Sequence, residues 1–329
     1  ALFGALEKAA RAQGIVLRTQ TEVQRLVRSR TGQITNVEGR SLPPGSWWTS
    51  IHGRLSRISA KATTYAPPLT KVLTALLERI MHRHGRPYRL RARKGIILAA
   101  GGFVFSREMV AEHAPLYLRC LPLGTVGDDG AGIRLGQSAG GATAHLERVS
   151  AWSFYVPPEA LMKGVLVNSK GERICNEELY GATQGRLIAA HGGDAHLIFD
   201  SQTRREGLRQ LRNQAALFQL LYMLPAFFLG RRKEPSLAAL AAKLGMPVTR
   251  LQATMTAYNA AADRGEPDPM GKCPERYVPQ NRPPFFAIDC SLDWTKGVPC
   301  SAMTLGGLVV DEETGQVLSA SGSAIEGLY

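Results

Sequence analysis

A ten-residue stretch at residues 94–103, Lys-Gly-Ile-Ile-Leu-Ala-Ala-Gly-Gly-Phe, constrains the fold most. Its apolar run, Ile96 to Ala100, is short, rich in Ile and closed by Gly101 and Gly102. Such a run reads as a strand buried on both faces. Glycines at the carboxyl end of that strand let the main chain approach a ligand where a Cβ would collide. In open α/β sheets this strand end is where nucleotide cofactors lie, and a plain tight turn is the competing explanation for the Gly pair.

The flanking segments suit one architecture. Residues 2–13 carry Leu2, Leu6, Ala9 and Ala10 on one helical face, with Gly14 placed to end the helix. Residues 15–21 alternate as a strand, Thr31-Gly32 signals a turn, and residues 34–38 return as a second strand. Residues 40–87, with two Pro-Pro pairs and Trp47-Trp48, read as an insertion on the sheet edge carrying one helix over 71–83. Tyr88, Leu90 and Ala92 then alternate with three arginines as the approach strand. Beyond the Gly pair, Ser106 caps a helix over 107–113. Gly127-Asp128-Asp129-Gly130 opens another over 131–138. For Asp129, capping competes with contact to a phosphate or a ring carbonyl.

Residues 146–296 change character. Strands are expected at 164–168 and 196–200, and helices at 202–222, 236–244 and 248–264, a mixed α+β pattern. From residue 304 the chain returns to strand and turn. At 329 residues and 44% hydrophobic content, it has enough apolar material for a large core in two domains.

The net charge of +13 admits nucleic acid, an anionic membrane surface or an anionic cofactor. The basic residues read as scattered and mostly Arg, without the long blocks or interleaved aromatics of nucleic-acid binders. They are therefore taken as an Arg-rich background, with no nucleic-acid partner. Five cysteines without a CxxC pair argue against a zinc site or a disulfide framework. A reducing compartment, the cytoplasm, follows as the expectation. The most apolar stretch, residues 217–229, is too short to span a bilayer and contains Pro225, so no transmembrane segment is expected. His145, His191 and His196 have no metal-ligand spacing.

At this point a family resemblance emerges. The blocks GIILAAGGF, GDDGAGIRLGQSAGGA, GVLVNSKGERICNEELY and TLGGLVVDEETGQVL, then IEGLY, resemble in order those of FAD-dependent oxidoreductases of the fumarate reductase/succinate dehydrogenase flavoprotein class. Within it they are most similar to 3-ketosteroid dehydrogenases. The resemblance implies an α/β chain: a Rossmann-like FAD-binding domain at residues 1–145 and 297–329, and an inserted α+β substrate-capping domain at 146–296. Family members also open with a strand and GxGxxG and continue past Gly-Leu-Tyr. Neither is in this sequence, so the resemblance implies an internal fragment lacking both ends of the FAD-binding domain.

The implied reaction moves hydride between a carbon–carbon bond beside a ketone and FAD, with a proton moved separately. A fumarate-type site would carry an Arg soon after Asn176-Glu177, a His-Pro after residue 145 and a His before Thr304. Here stand Glu178-Leu179-Tyr180-Gly181, no His-Pro, and Ala302-Met303. A tyrosine after Asn-Glu resembles the ketosteroid enzymes, which implies that Tyr180 takes the proton. A phenol of ordinary acidity needs a nearby positive charge or a relay to do so, from Arg173 or Arg186. A packed aromatic with its hydroxyl on a carbonyl is the alternative for Tyr180.

For FAD, the resemblance implies Thr21, Glu22 and Val23 on the adenine side and Ala100, Gly101 and Gly102 along the dinucleotide. It further implies Asp129 and Gly130 near the ring system and Gly306 and Gly307 beside the flavin. Arg173 and Glu177 read as a structural ion pair, and Tyr155 as a core aromatic. Residues 217–229 read as a greasy wall or lid, or equally as a packed helix. The expected partners are a small apolar cyclic ketone and an unidentified electron acceptor. An enoate or fumarate-type reductase, and a non-catalytic chain binding an apolar ligand, stand as alternatives.

Overall fold

The computed structural model describes residues 2–65, 67–214, 220 and 232–329. The 217–229 stretch expected as a wall or lid, and the end of the expected 202–222 helix, lie outside the described residues apart from Leu220. The chain divides into two compact units, one formed by Ala1–Ala100, Ala131–Thr143 and Leu308–Tyr329, the other by Gly101–Gly130 and Ala144–Gly307. Both mix helix and strand, in keeping with the α/β reading.

The first unit opens with helix Leu2–Ala12, none of whose residues is buried, closed by Gly14 at a positive φ of 77°. The expected strand over 15–21 is corrected. Ile15 donates back to the helix at Ala10 (3.1 Å), and ladder pairing starts only at Thr21 opposite Ser41. Alternation without a pairing partner does not make a strand. Strands Thr21–Arg28, Ile34–Ser41 and Arg86–Arg91 form an antiparallel sheet in that order. Leu26, Ile34, Ala139, Val317, Ile325 and Leu328 make the core beside it.

Between the second and third strands lie two helices, Trp47–Tyr65 and Pro67–His84, where one was expected. Thr, Ser and paired Trp residues hide the 3.6-residue period of the first helix. Its start is nevertheless written in the sequence, because Ser46 accepts from the Thr49 N–H (3.2 Å) as a helix cap does. The helices pack on each other, and Ile80 and Met81 meet Leu42, Trp48, Ile51 and Leu55.

The organising stretch also departs from expectation. Ile96 bridges Leu328 in parallel, through Ile96 N–H to Gly327 O (2.9 Å) and Tyr329 N–H to Ile96 O (2.8 Å). Ile97 is 77% exposed and Ala99 and Ala100 are exposed, so the run is not buried on both faces. It has a ladder partner on one side only among the described residues, which is too little pairing for a central strand. The scattered-charge reading needs correction as well. Residues 40–94 hold twelve Lys and Arg against a single acid, Glu78, close to the whole excess of the chain.

In the second unit an antiparallel sheet runs in the order Val165–Asn168, Ala195–Phe199, Phe285–Asp289, Arg232–Glu234. Alternation decides its two faces. Val165, Val167, Ile198 and Ala287 pack on Leu240, Leu251, Met255 and Tyr258 of helices Leu237–Leu244 and Val248–Asp263. Leu166, Leu197, Phe199 and Ile288 face Tyr155, Ile174, Ile188 and Cys300. A second small sheet sets Cys300–Thr304 between Leu121–Pro122 and Val149–Ser153. Helix Gly181–Ala190 lies against the last of these so closely that a Cβ on Gly185 would come within 1.9 Å of the Ala151 carbonyl oxygen. Gly185→Ala is therefore expected to destabilise this unit by about 1–3 kcal/mol, read as a lower denaturant midpoint.

All five cysteines are free, and among the described residues no helix is long and apolar enough to cross a membrane.

Candidate active site

The second unit is held at its centre by four buried charges. Glu177, with no exposed surface, accepts from the Leu166 N–H (2.8 Å), from Arg173 Nε (3.1 Å) and Nη2 (2.8 Å), and pairs with Lys272 Nζ (2.7 Å). Arg173 also grips Asp268 through Nη1 (2.6 Å) and Nη2 (2.9 Å). Lys272 donates further to Gly164 O (2.7 Å) and the Tyr258 hydroxyl (3.1 Å). Two carboxylates and two cations cancel, and each is hydrogen-bonded, which is the condition for charge to be tolerated inside a protein. Burial pulls the Lys272 ammonium below its ordinary pKa. Burial, the largest single influence, pushes the Asp268 carboxyl up. The Arg173 hydrogen bonds, the main-chain N–H groups of Lys272 and Met270 and the Arg173 charge together outweigh it and hold the group below its ordinary value.

This network positions the segment that carries the candidate base. Gln184 Nε2 donates to the carbonyls of Glu177 (3.0 Å) and Leu179 (2.7 Å). The Glu178 carboxylate accepts from the Cys273 N–H (2.6 Å) and Arg276 (2.6 Å). Tyr180 follows as the residue immediately before helix Gly181–Ala190, its carbonyl accepting from Thr183 and Gln184 (2.8 and 3.0 Å). Its ring meets Trp152 edge-on, centroids 4.8 Å apart and planes at 72°. Such contacts fix an aromatic ring's orientation. Tyr180 is 63% exposed, and its hydroxyl has no partner among the described residues.

The packed-aromatic role considered for Tyr180 belongs to Tyr155. That ring is 1% exposed, its hydroxyl donates to Glu177 O (3.1 Å), and burial pushes its phenol well above the ordinary value. Arg173, expected as one possible source of charge for Tyr180, is fully engaged with Glu177 and Asp268. Arg186 is exposed on the helix that Tyr180 begins.

The residues expected around FAD fall in both units. In the first, Thr21 opens its strand with its hydroxyl on Ser41 (2.9 Å), Glu22 is exposed, Val23 half-buried and Ala100 exposed. In the second, Gly101 has a φ of 78°, and a Cβ there would meet Asp128 Oδ1 at 2.0 Å. A Cβ on Gly102 would meet Thr304 Oγ1 at 2.3 Å, the same atom that accepts from the Phe103 N–H (2.9 Å). Both glycines are thus required by the chain's own packing. Gly130 is buried, with its N–H on Gly102 O (2.9 Å), and Asp129 beside it is half-buried. Gly306 backs onto the His145 carbonyl, whereas Gly307 has nothing within 4 Å of a Cβ position. Taken unit by unit, Ala99 and Ala100 are exposed in the first, and in the second Gly101 is exposed and Gly307 has an open face, so each stretch by itself leaves room for a flat group and fits FAD.

Sequence reasoning misses Asp128, which braces Gly101 and Gly124 and accepts from the Thr125 N–H (2.7 Å). It also misses Trp152, Asp268 and Lys272. Asp128 could have been found, since Asp ahead of a Gly turn commonly accepts local N–H groups. No local signal links Arg173 to Asp268, 95 positions away.

The same geometry predicts acid sensitivity. Asp268 and Glu178 are held below their unfolded values of 3.8 and 4.5. Their contribution is therefore complete above those values and is lost as pH falls through the lower folded ones. The denaturant midpoint is expected to drop as pH is lowered below about 4, and less steeply in Asp268→Asn, which lacks one of the two groups.

The sequence matches the FAD binding domain family over residues 1–329. It is 36% identical to the 3-oxo-5-alpha-steroid 4-dehydrogenase of Comamonas testosteroni, covering 99% of this chain and 62% of that protein. It is 28% identical to the NADH:fumarate oxidoreductase of Klebsiella pneumoniae, covering 72% of this chain and 24% of the relative. Among solved structures, the fold is similar to the 3-ketosteroid-delta4-(5alpha)-dehydrogenase of Rhodococcus jostii RHA1, solved with 4-androstene-3,17-dione. The TM-score is 0.70 at 24% identity, over 98% of this chain and 55% of that one. The chain thus spans from 24% to 62% of the length of these proteins.

Proposed function

We propose, for a chain that belongs to the FAD binding domain family and whose cofactor is FAD, the dehydrogenation of a 3-oxo-steroid at the carbon–carbon bond beside the ketone. FAD, when bound, supplies the hydride acceptor. Its seat is proposed at Thr21, Glu22 and Val23, at Ala100, Gly101 and Gly102, at Asp129 and Gly130, and at Gly306 and Gly307. Tyr180 is proposed as the base that removes the proton from the carbon next to the ketone. The domain assignment goes with this reading: residues 1–145 and 297–329 for the cofactor, 146–296 for the substrate.

The observation that carries the reading is Tyr180 itself. It is an exposed tyrosine whose hydroxyl has no partner among the described residues, its ring set edge-on by Trp152 and its main chain tied to a buried charge network. A residue held for packing alone would bury its ring and satisfy its hydroxyl, as Tyr155 does. The 4,5 bond is the proposed target, by likeness to the Comamonas relative. A cytoplasmic location and an external electron acceptor complete the proposal. The test is steady-state turnover with a saturated 3-oxo-5α-steroid and an artificial acceptor, with the product's double bond located by NMR. Turnover with fumarate instead would favour the reductase reading, and steroid binding without flavin absorbance the non-catalytic one.

A further inference from the structure

Most of the excess positive charge of the chain lies over residues 40–94, half of its twelve basic residues on the helix pair between strands Ile34–Ser41 and Arg86–Arg91 and half on or beside those strands. Helix Trp47–Tyr65 contains no acid at all, and helix Pro67–His84 contains only Glu78. The first helix buries Ser59 and Ala62, and leaves Trp47, Arg54, Ile58 and Lys61 exposed. These four are spaced by seven, four and three residues, so they form one stripe along the helix. Trp47 is 65% and Ile58 50% exposed. The second helix buries Leu73, Leu77 and Ile80 and exposes Leu69, Val72 and Leu76, at three- and four-residue spacing, with Lys71 beside them. Arg54, Lys61 and Lys71 have no acid within ion-pair distance among the described residues.

We infer that this helix pair docks the protein onto an anionic lipid bilayer. Charge complementarity selects an anionic partner, because twelve basic residues face one acid over residues 40–94. The apolar members of the stripes decide which one. Ile58, Leu69, Val72 and Leu76 gain nothing from a nucleic-acid backbone, whereas side chains of this kind enter the headgroup and acyl boundary when flanked by Lys and Arg. Trp47 is the residue type that membrane interfaces concentrate. Neither helix can cross the membrane, so the contact is a surface one. An apolar substrate that resides in lipid would then be met at its source.

The experiment is flotation of the full chain with vesicles of phosphatidylcholine alone or phosphatidylcholine mixed with phosphatidylglycerol. Binding is expected only to the mixed vesicles, weakening as salt rises. Reversing three cations (R54E, K61E and K71E together) should lower the partition coefficient about a hundredfold. Replacing exposed apolar groups (W47S with V72S) should lower it about tenfold at every salt concentration. Both variants alter only exposed positions, and an unchanged circular dichroism spectrum will show that they fold. Equal binding to both vesicle types, undiminished binding by the variants, or retention on duplex DNA with none on vesicles would each overturn the inference.

Discussion

Replacing Tyr180 with phenylalanine is expected to lower turnover about 10²–10⁴-fold, the range by which a positioned acid or base accelerates a proton transfer. The change removes one oxygen from a side chain that is 63% exposed and bonded through that oxygen to nothing among the described residues. The edge-on contact with Trp152 uses the ring, which phenylalanine keeps. Stability should therefore change by less than about 0.5 kcal/mol, as for other surface substitutions. Binding of substrate should change little, so the loss belongs in kcat rather than KM. Kinetics on the flavoprotein, with unfolding measured on the same preparation, will separate a catalytic hydroxyl from a structural one. A turnover number within a fewfold of wild type would show that Tyr180 is not the base.

Glu177→Ala is expected to cost about 3–5 kcal/mol of stability, the loss typical when one partner of a buried ion pair is removed. It would take one of two carboxylates from Arg173, strand the buried Lys272 ammonium and leave the Leu166 N–H without its acceptor. Arg173 would keep Asp268, but Lys272 would retain only the neutral oxygens of Gly164 and Tyr258. The exposed pair of Arg264 with Glu266 is the control. Removing Glu266 should leave stability almost unchanged, because solvent screens such a pair. Urea unfolding of the two variants should therefore differ severalfold in effect. The main-chain carbonyl of Glu177, kept in the variant, would still receive Tyr155 and Gln184. Without the carboxylate's hold on the Leu166 N–H, however, the segment that ends at Tyr180 should loosen and activity fall even where the chain is folded.

Much of the second unit is legible in the sequence. Val165–Asn168 and Ala195–Phe199 are short apolar runs bounded by turn residues, and Ser236 and Gly245 mark both ends of the helix between them. These are local signals, and local signals survive folding. What fails is what depends on partners distant in sequence. Among the described residues, the alternation at 15–20 has no strand to pair with and the run at 96–100 has one neighbour rather than two. Helix Trp47–Tyr65 is masked because its residues favour strand or cap by propensity, and packing against the next helix decides otherwise. At the candidate site, Tyr180 and the Arg173–Glu177 pair follow from the Asn-Glu-Glu-Leu-Tyr segment. Asp268 and Lys272, which complete the network, sit in a Pro-rich loop whose pattern points to no partner.

Flavin bleaching tests the proposed chemistry most directly. The flavoprotein containing this chain would be mixed anaerobically with a saturated 3-oxo-5α-steroid, without any electron acceptor, and its absorbance followed. Loss of the oxidised-flavin band, with one 4,5-unsaturated steroid formed per flavin and the rate suppressed in Tyr180→Phe, is the expected result. An unchanged band with the steroid, together with rapid reoxidation of pre-reduced flavin by fumarate, would contradict it.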